Sequence, residues 1–255
     1  MISHLRCETV TVTFGGVIAC DKISLDVEAG KIIGLIGPNG AGKTTLFNVL
    51  SRFQEYDEGH VYLRDQVVDG KKSHEMINLG MARTFQNINL FAEQSTLQNI
   101  LIGAHHMIGN PFANVFSLPS ARRNEKILVD NAVEIAEMLN LDRELDNLAK
   151  NLPYGFQKRI ELARAIAAKP EIILLDEPVA GCNDEETTEL KEIIQRINRE
   201  LGVTVLLVEH DMSMVMSVCD YIYAINFGAN LAAGTPAEIQ SNRDVINAYL
   251  GEDDA

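Results

Sequence analysis

The chain has 255 residues, enough for one large domain or two small ones. Hydrophobic residues make up 46% of it, and 36 Asp and Glu against 22 Lys and Arg leave a formal net charge of −14. That composition supports a sizeable buried core, repels nucleic-acid phosphates and anionic lipid headgroups, and so argues against either as the main partner.

In chain order, the first runs alternate. "VTVTFGG" from Val10 and "HVYLRDQVVDG" from His60 suit a half-exposed antiparallel layer. Three other runs are apolar throughout, as buried parallel strands are. They are "KIIGLIG" (Lys31–Gly37), "IILLD" (Ile172–Asp176) and "TVLLVEH" (Thr204–His210). The stretch from about Asn87 to Lys169 is mostly helical in pattern and is broken by "IGNPFANVFSLPS". Within it, "NLPYGFQKRIELARA" (Asn151–Ala165) reads as a helix start. Pro153 suits a first turn, where its missing N–H is no loss, and Ile160, Leu162, Ala163 and Ile166 supply the apolar side. Asn183–Glu186 is acidic and cap-like. Behind it Leu190, Ile193, Ile194, Ile197 and Leu201 keep helical spacing, and Gly202 ends the helix. No apolar run approaches the roughly 18 residues of a membrane span. "MISHLRCETVTVTF" lacks the apolar centre of a signal peptide. Cys7, Cys20, Cys182 and Cys219 show no CxxC and no metal spacing, and read as free thiols in a reducing compartment. The pattern predicts an α/β core split by a helical insertion.

Three motifs carry chemistry. "GPNGAGKTT" (Gly37–Thr45) fits G-x-x-x-x-G-K-[ST] directly after an apolar strand. Its glycines let backbone N–H groups wrap phosphate oxygens, and the following helix points its positive end at them. Lys43 would pair with the β- and γ-phosphates and Thr44 would ligate Mg2+. "IILLDEP" places Asp176 at a strand's carboxyl end, near that Mg2+, and Glu177 where it could polarise a water. "VEHDM" follows another apolar strand, and its His210 could contact a γ-phosphate.

These motifs, with "RTFQ" and "LPYGF", stand in the order of the ATP-binding cassette (ABC) ATPases, which the chain resembles over nearly its whole length. The resemblance implies a P-loop NTPase core with an antiparallel β layer and a helical subdomain insertion. Residues 1–86 and 170–255 would form the nucleotide-binding core, and residues 87–169 the helical subdomain. It also implies ATP and Mg2+ as ligands. ATP would meet Phe14, stacked on adenine, and Gly37, Asn39, Gly40, Ala41, Gly42, Lys43, Thr44 and Thr45. Thr44, Gln86 and Asp176 would hold the metal, and Glu177, His210 and Gln86 would be catalytic. "AGCN" (Ala180–Asn183) matches the loop that touches a partner's site, with Asn183 in place of the commoner Asp.

In that family a head-to-tail dimer sandwiches two ATP molecules between phosphate loops and opposing signatures, usually LSGGQ. Here the signature is Leu152-Pro153-Tyr154-Gly155-Phe156. The serine hydroxyl usual at Pro153 is missing, while the Gly155 N–H and the helix's positive end remain for the phosphate. Within the family the chain looks most like the ATP-binding subunit of branched-chain amino acid importers. The features are "FGG", "RTFQNINLF", "VEHDM" and "GTPAEIQSNRDVINAYLGE". Lipopolysaccharide-export and urea-import ATPases share much of this pattern, and the signature departures keep a catalytically weak regulatory subunit as an alternative. The implied partners are a second cassette, identical or not, permease subunits and, indirectly, a solute-binding protein. The implied place is the cytoplasmic face of the inner membrane. The His105–Arg123 insertion and the Gln86–Phe91 region would receive a short permease helix. A soluble ABC ATPase of DNA repair or translation is the rival from another class. The acidic charge and the lack of a second cassette or coiled-coil arms oppose it.

Overall fold

The computed structural model describes residues 3–105 and 119–250. Two sheets organise them. The first is antiparallel, ordered β2 (Val17–Glu28), β1 (Ser3–Phe14), β4 (Glu58–Leu63), β5 (Gln66–Val67). The second is ordered β10 (Ala229–Gly234), β9 (Tyr221–Asn226), β3 (Ile32–Ile36), β8 (Thr204–Val208), β7 (Ile172–Asp176), β6 (Met81–Arg83). Its strands run parallel except β10, which pairs antiparallel with β9.

The alternating runs became the antiparallel layer because they have one face to bury. Along β1, Leu5, Cys7, Val10 and Val12 are buried. The continuous apolar runs became β3, β7 and β8, buried at every position because both sheet faces are covered. Successive side chains of a strand point to opposite faces, so each of these strands feeds two cores. Ile33, Leu35, Leu174 and Leu206 join the antiparallel layer and α1 (Lys43–Leu50). Ile32, Ile173, Leu175 and Leu207 join α5 (Tyr154–Ala167), α6 (Asp184–Leu201) and α7 (Met212–Val218) on the other side.

Between α1 and β6 lies the short α2 (Ser73–Met76). Between β6 and β7 come α3 (Thr96–Gly103), α4 (Pro119–Met138) and α5. Their Ile100, Ala136 and Ile160, with Leu139 just past the end of α4, belong to the same cluster as the second sheet face. The chain closes with α8 (Pro236–Ser241) and α9 (Arg243–Leu250), whose Ile239 and Val245 pack into that cluster too. No helix of the described residues is long and apolar enough to cross a membrane. Of the His105–Arg123 insertion, residues 106–118 lie outside the described residues.

Three details depart from the sequence reading. Pro153 is the N-cap of α5, one position before the first turn, with φ −54 and ψ 157. Its carbonyl accepts the first helical bond, from Gln157 N–H at 3.1 Å. Leu201 was expected on the buried face of α6 but is 45% exposed. It is the last residue before the left-handed turn at Gly202, and the apolar cluster stops short of it. Strand β8 ends at Val208, so Glu209 and His210 stand beyond the sheet edge. The other end of α6 is as read: the Asn183 side chain accepts from Glu186 N–H, and Glu186 returns the bond in a capping box.

Ile160 has no exposed surface. Ile160→Ala should therefore cost about 2–5 kcal/mol of stability. Urea unfolding measures this, and a loss well under about 1 kcal/mol would contradict its placement in the shared core.

Candidate active site

The phosphate-loop segment follows β3 and ends where α1 begins. Gly42 is the N-cap of α1, at φ 98. A Cβ there would stand 2.3 Å from the Ala19 carbonyl oxygen, and one at Gly37 would stand 2.2 Å from that of Ile225. The loop is thus pressed against β2 and the end of β9, and larger residues cannot replace these two. No acidic residue occupies the first turn of α1, so its positive end is left for an anion. Lys43 is buried, and its Nζ donates to the carbonyls of Gly37 at 2.6 Å and Pro38 at 2.9 Å. The ammonium therefore sits over the loop it follows. Asn39, Gly40 and Thr44 are exposed, Thr45 is half-buried and Ala41 is buried.

Phe14 ends β1, paired across the turn with Val17. It is 49% exposed, and Val17 and Ile18 beside it are exposed as well. The sequence reading named Phe14 alone. Val17 is its cross-strand partner, on a hairpin whose second strand already touches the loop through Ala19.

Asp176 ends β7 and is buried. Its Oδ2 accepts from Arg83 Nη2 at 2.8 Å. Arg83 reaches it from β6, the neighbouring strand. The same guanidinium donates through Nη1 to Asn48 Oδ1 at 2.8 Å and Ser51 Oγ at 2.6 Å. The rings of Phe47, Phe53 and Phe85 surround it with centroids 5.0, 5.4 and 5.1 Å away. Burial pushes the Arg83 pKa down, and the Asp176 carboxylate opposes that shift. Sequence reasoning quoted Arg83 within "RTFQ" without giving it a role. A lone arginine inside an apolar strand was the available signal, because a buried cation needs a paired anion.

Glu177 is half-buried and held from three directions. Gln86 Nε2 donates to its Oε2 at 2.7 Å. His210 Nε2 lies 2.9 Å from its Oε1. Its own N–H donates to the Val208 carbonyl at 2.9 Å. Gln86 and His210 are both exposed on their outer sides. His210, read as a phosphate contact, here faces the carboxylate. Buried Glu209 ties the loops together by accepting from the N–H groups of Val179 at 3.0 Å and His210 at 3.1 Å. Burial pushes the Glu209 carboxyl pKa up, while those backbone bonds pull it down. The sequence reading did not single it out.

The segment Leu152–Phe156 opens α5. Pro153 and Tyr154 are exposed, Leu152 and Phe156 half-buried, and Gly155 buried. The Gly155 N–H was expected to stay open to a phosphate. It is instead taken by Glu186 Oε1 at 3.1 Å. The other oxygen of that carboxylate accepts from Asn183 N–H at 3.0 Å. One acid therefore caps two helices, where the positive ends of both attract it. Phe156 carries the Arg159 guanidinium 4.0 Å from its ring centroid.

Among the described residues no group of three or more His, Cys, Asp and Glu could hold a metal ion. Asp176 is a single carboxylate. That suits a cation such as Mg2+, which binds one or two carboxylates and completes its shell with phosphate oxygens and water.

Comparisons with known proteins give the family. The family profile described as ABC transporter matches residues 20–180. A second, described as branched-chain amino acid ATP-binding cassette transporter, matches residues 229–255. The chain is 43% identical over 249 residues to the high-affinity branched-chain amino acid transport ATP-binding protein BraF of Pseudomonas aeruginosa, covering 97% of this chain and 98% of that one. It is 42% identical to the corresponding protein LivG of Escherichia coli K12, with the same coverage. Among solved structures it resembles the ADP conformation of MJ1267, an ATP-binding cassette of an ABC transporter. That match has a TM-score of 0.86 at 31% identity and covers 98% of this chain and 100% of that one. Matched over most of its length by this family model and by these relatives, the chain belongs to the ABC transporter family as one of its ATP-binding cassettes.

Proposed function

We propose that the chain is the Mg2+-dependent ATP-hydrolysing subunit of a branched-chain amino acid importer, working at the cytoplasmic face of the membrane. The observation that carries the hydrolytic reading is the Glu177 carboxylate held between Gln86 and His210, just past the end of β7. The carboxylate would orient a water toward the γ-phosphate and take its proton. His210 and Gln86 would keep it pointed there. Lys43 would exchange its two carbonyl partners for the β- and γ-phosphate oxygens, which are stronger acceptors. Thr44, Asp176 and Gln86 would hold Mg2+, whose charge offsets that of the phosphates. The relatives matched over 97% of the chain support the amino acid substrate class.

Two partner surfaces accompany this reading. One is the α5 start, where Pro153 and Tyr154 face outward and would close over ATP on a second cassette. The other is a groove of about 340 Å³ lined by Phe53, Phe85, Phe91, Ile102, Glu161 and Arg164. Phe53 and Phe91 are more than half exposed there, which suits a short apolar helix from a permease. Arg83 also lines the groove, so a helix seated in it would lie next to the ion pair of Asp176.

In the assembled transporter, Glu177→Gln should retain ATP binding and lose at least about a hundredfold in phosphate release. Wild-type rates in that variant would overturn the assignment. Lys43→Ala should instead weaken binding of a fluorescent ATP analogue by about tenfold or more.

The signature supports a second expectation. A hydrogen bond from a hydroxyl to a charged phosphate is worth roughly 1.5–3 kcal/mol. Pro153 cannot supply it, so the composite site built on this signature should run about tenfold slower than one with serine. The double change Pro153→Ser with Phe156→Gln should raise the transporter's ATPase rate several-fold. No gain would show that the departures are harmless.

A further inference from the structure

Lys158 lies on α5, one helical turn beyond Tyr154, and is only 4% exposed. Its Nζ donates to the carbonyl oxygen of Gln86 at 3.2 Å and to that of Glu177 at 3.4 Å. The Tyr154 ring centroid lies 5.8 Å from the same nitrogen. A buried ammonium is costly unless it is partnered, and a methionine of similar length would fill this space without that cost. What Lys158 adds is a fixed tie between three segments. Two of them carry Gln86 and Glu177, whose side chains bond each other at 2.7 Å. The third is the first turn of the helix that would meet the partner's ATP.

The tie falls where the backbone needs it. Glu177 sits at φ 48, in the left-handed region that a residue with a side chain seldom adopts. Such a conformation persists only when its surroundings hold it. The Glu177 N–H is held by the Val208 carbonyl, and its own carbonyl accepts from the Ala180 N–H at 3.2 Å and from Lys158 at 3.4 Å. Ala180 follows Glu177 in the same loop, so Lys158 is what ties this carbonyl to α5, and its loss would let the loop shift and turn the carboxylate away from Gln86.

Building on the proposed ATPase reading, we propose that Lys158 is a positioning residue that couples the two nucleotide sites. It fixes the backbones of Gln86 and Glu177 to the start of α5. When a partner's ATP engages that helix end, the displacement passes through one ammonium to the water-orienting carboxylate of this chain's own site. Lys158 touches no nucleotide itself, so its loss should slow turnover and spare binding.

The test uses the assembled transporter with MgATP. Lys158→Met should lower kcat about tenfold or more, leave the KM for ATP within about threefold, and bring the Hill coefficient of hydrolysis toward one. Lys158→Arg, which can still donate to both carbonyls, should recover most of the rate and the cooperativity. A wild-type kcat and Hill coefficient in Lys158→Met would overturn the proposal. So would a raised KM together with a lowered unfolding midpoint in both variants, since that pattern marks a purely structural lysine. Failure of the wild type to hydrolyse ATP would sink the ATPase reading and this coupling with it, and is told apart by its absence in every protein tested.

Discussion

Strands β3, β8, β7 and β6 pair in parallel, so all four end at the same edge of one sheet. Each hands a functional segment to the space beyond that edge. β3 leads into the phosphate loop, β7 into Asp176 and Glu177, β8 into Glu209 and His210, and β6 into Gln86. Neighbouring strands lie about 4.8 Å apart, close enough for side chains from adjacent ends to bond. Register then decides which ones do. Asp176 pairs with Val208, and His210 lies two residues past Val208, where it reaches Glu177. A ligand site at the carboxyl ends of parallel strands is the general consequence of this architecture.

The edge is crowded with charges that apolar cores usually exclude. Asp176, Glu209, Lys158 and Glu161 are buried, and the Arg83 side chain is only 8% exposed. Such groups rarely stabilise a fold over well-packed apolar replacements. What they supply is geometry. Arg83 joins α1, β6 and β7, Glu209 joins the loops after β7 and β8, and Lys158 joins those segments to α5. Under the proposed function the Glu177 carboxylate must be held within a fraction of an ångström by groups that are themselves held, and this set surrounds it.

How much of this could be read in the chain depended on range. Patterns that act within one element were legible. The apolar runs became β3, β7 and β8, and the cap and spacing of α6 were visible down to Ile197. Leu201 failed only because helical period does not tell where a core ends. Contacts set by tertiary approach were not legible. Arg83 meets Asp176 across 93 positions, and Lys158 meets Gln86 across 72. No periodicity marks such pairs. Glu186 could be recognised as a capping residue, but its second bond, to Gly155, depends on how α5 and α6 start side by side.

That second bond has a consequence for the order of events at the signature. The Gly155 N–H has one hydrogen to give, and Glu186 already holds it. Under the proposed function, a γ-phosphate arriving from a second cassette competes for that hydrogen with a carboxylate. Two anions cannot share the helix end without strong repulsion, so one must leave. Phosphate brings more charge to the same helix end, and Glu186 keeps a place to go because its other oxygen remains on the Asn183 amide. Closure would then turn the carboxylate rather than unseat α6. The absent serine matters more in that setting, since it would have offered the phosphate a donor before Glu186 moved. Under the proposed function, the signature would then engage only when the partner's nucleotide is pressed fully against it.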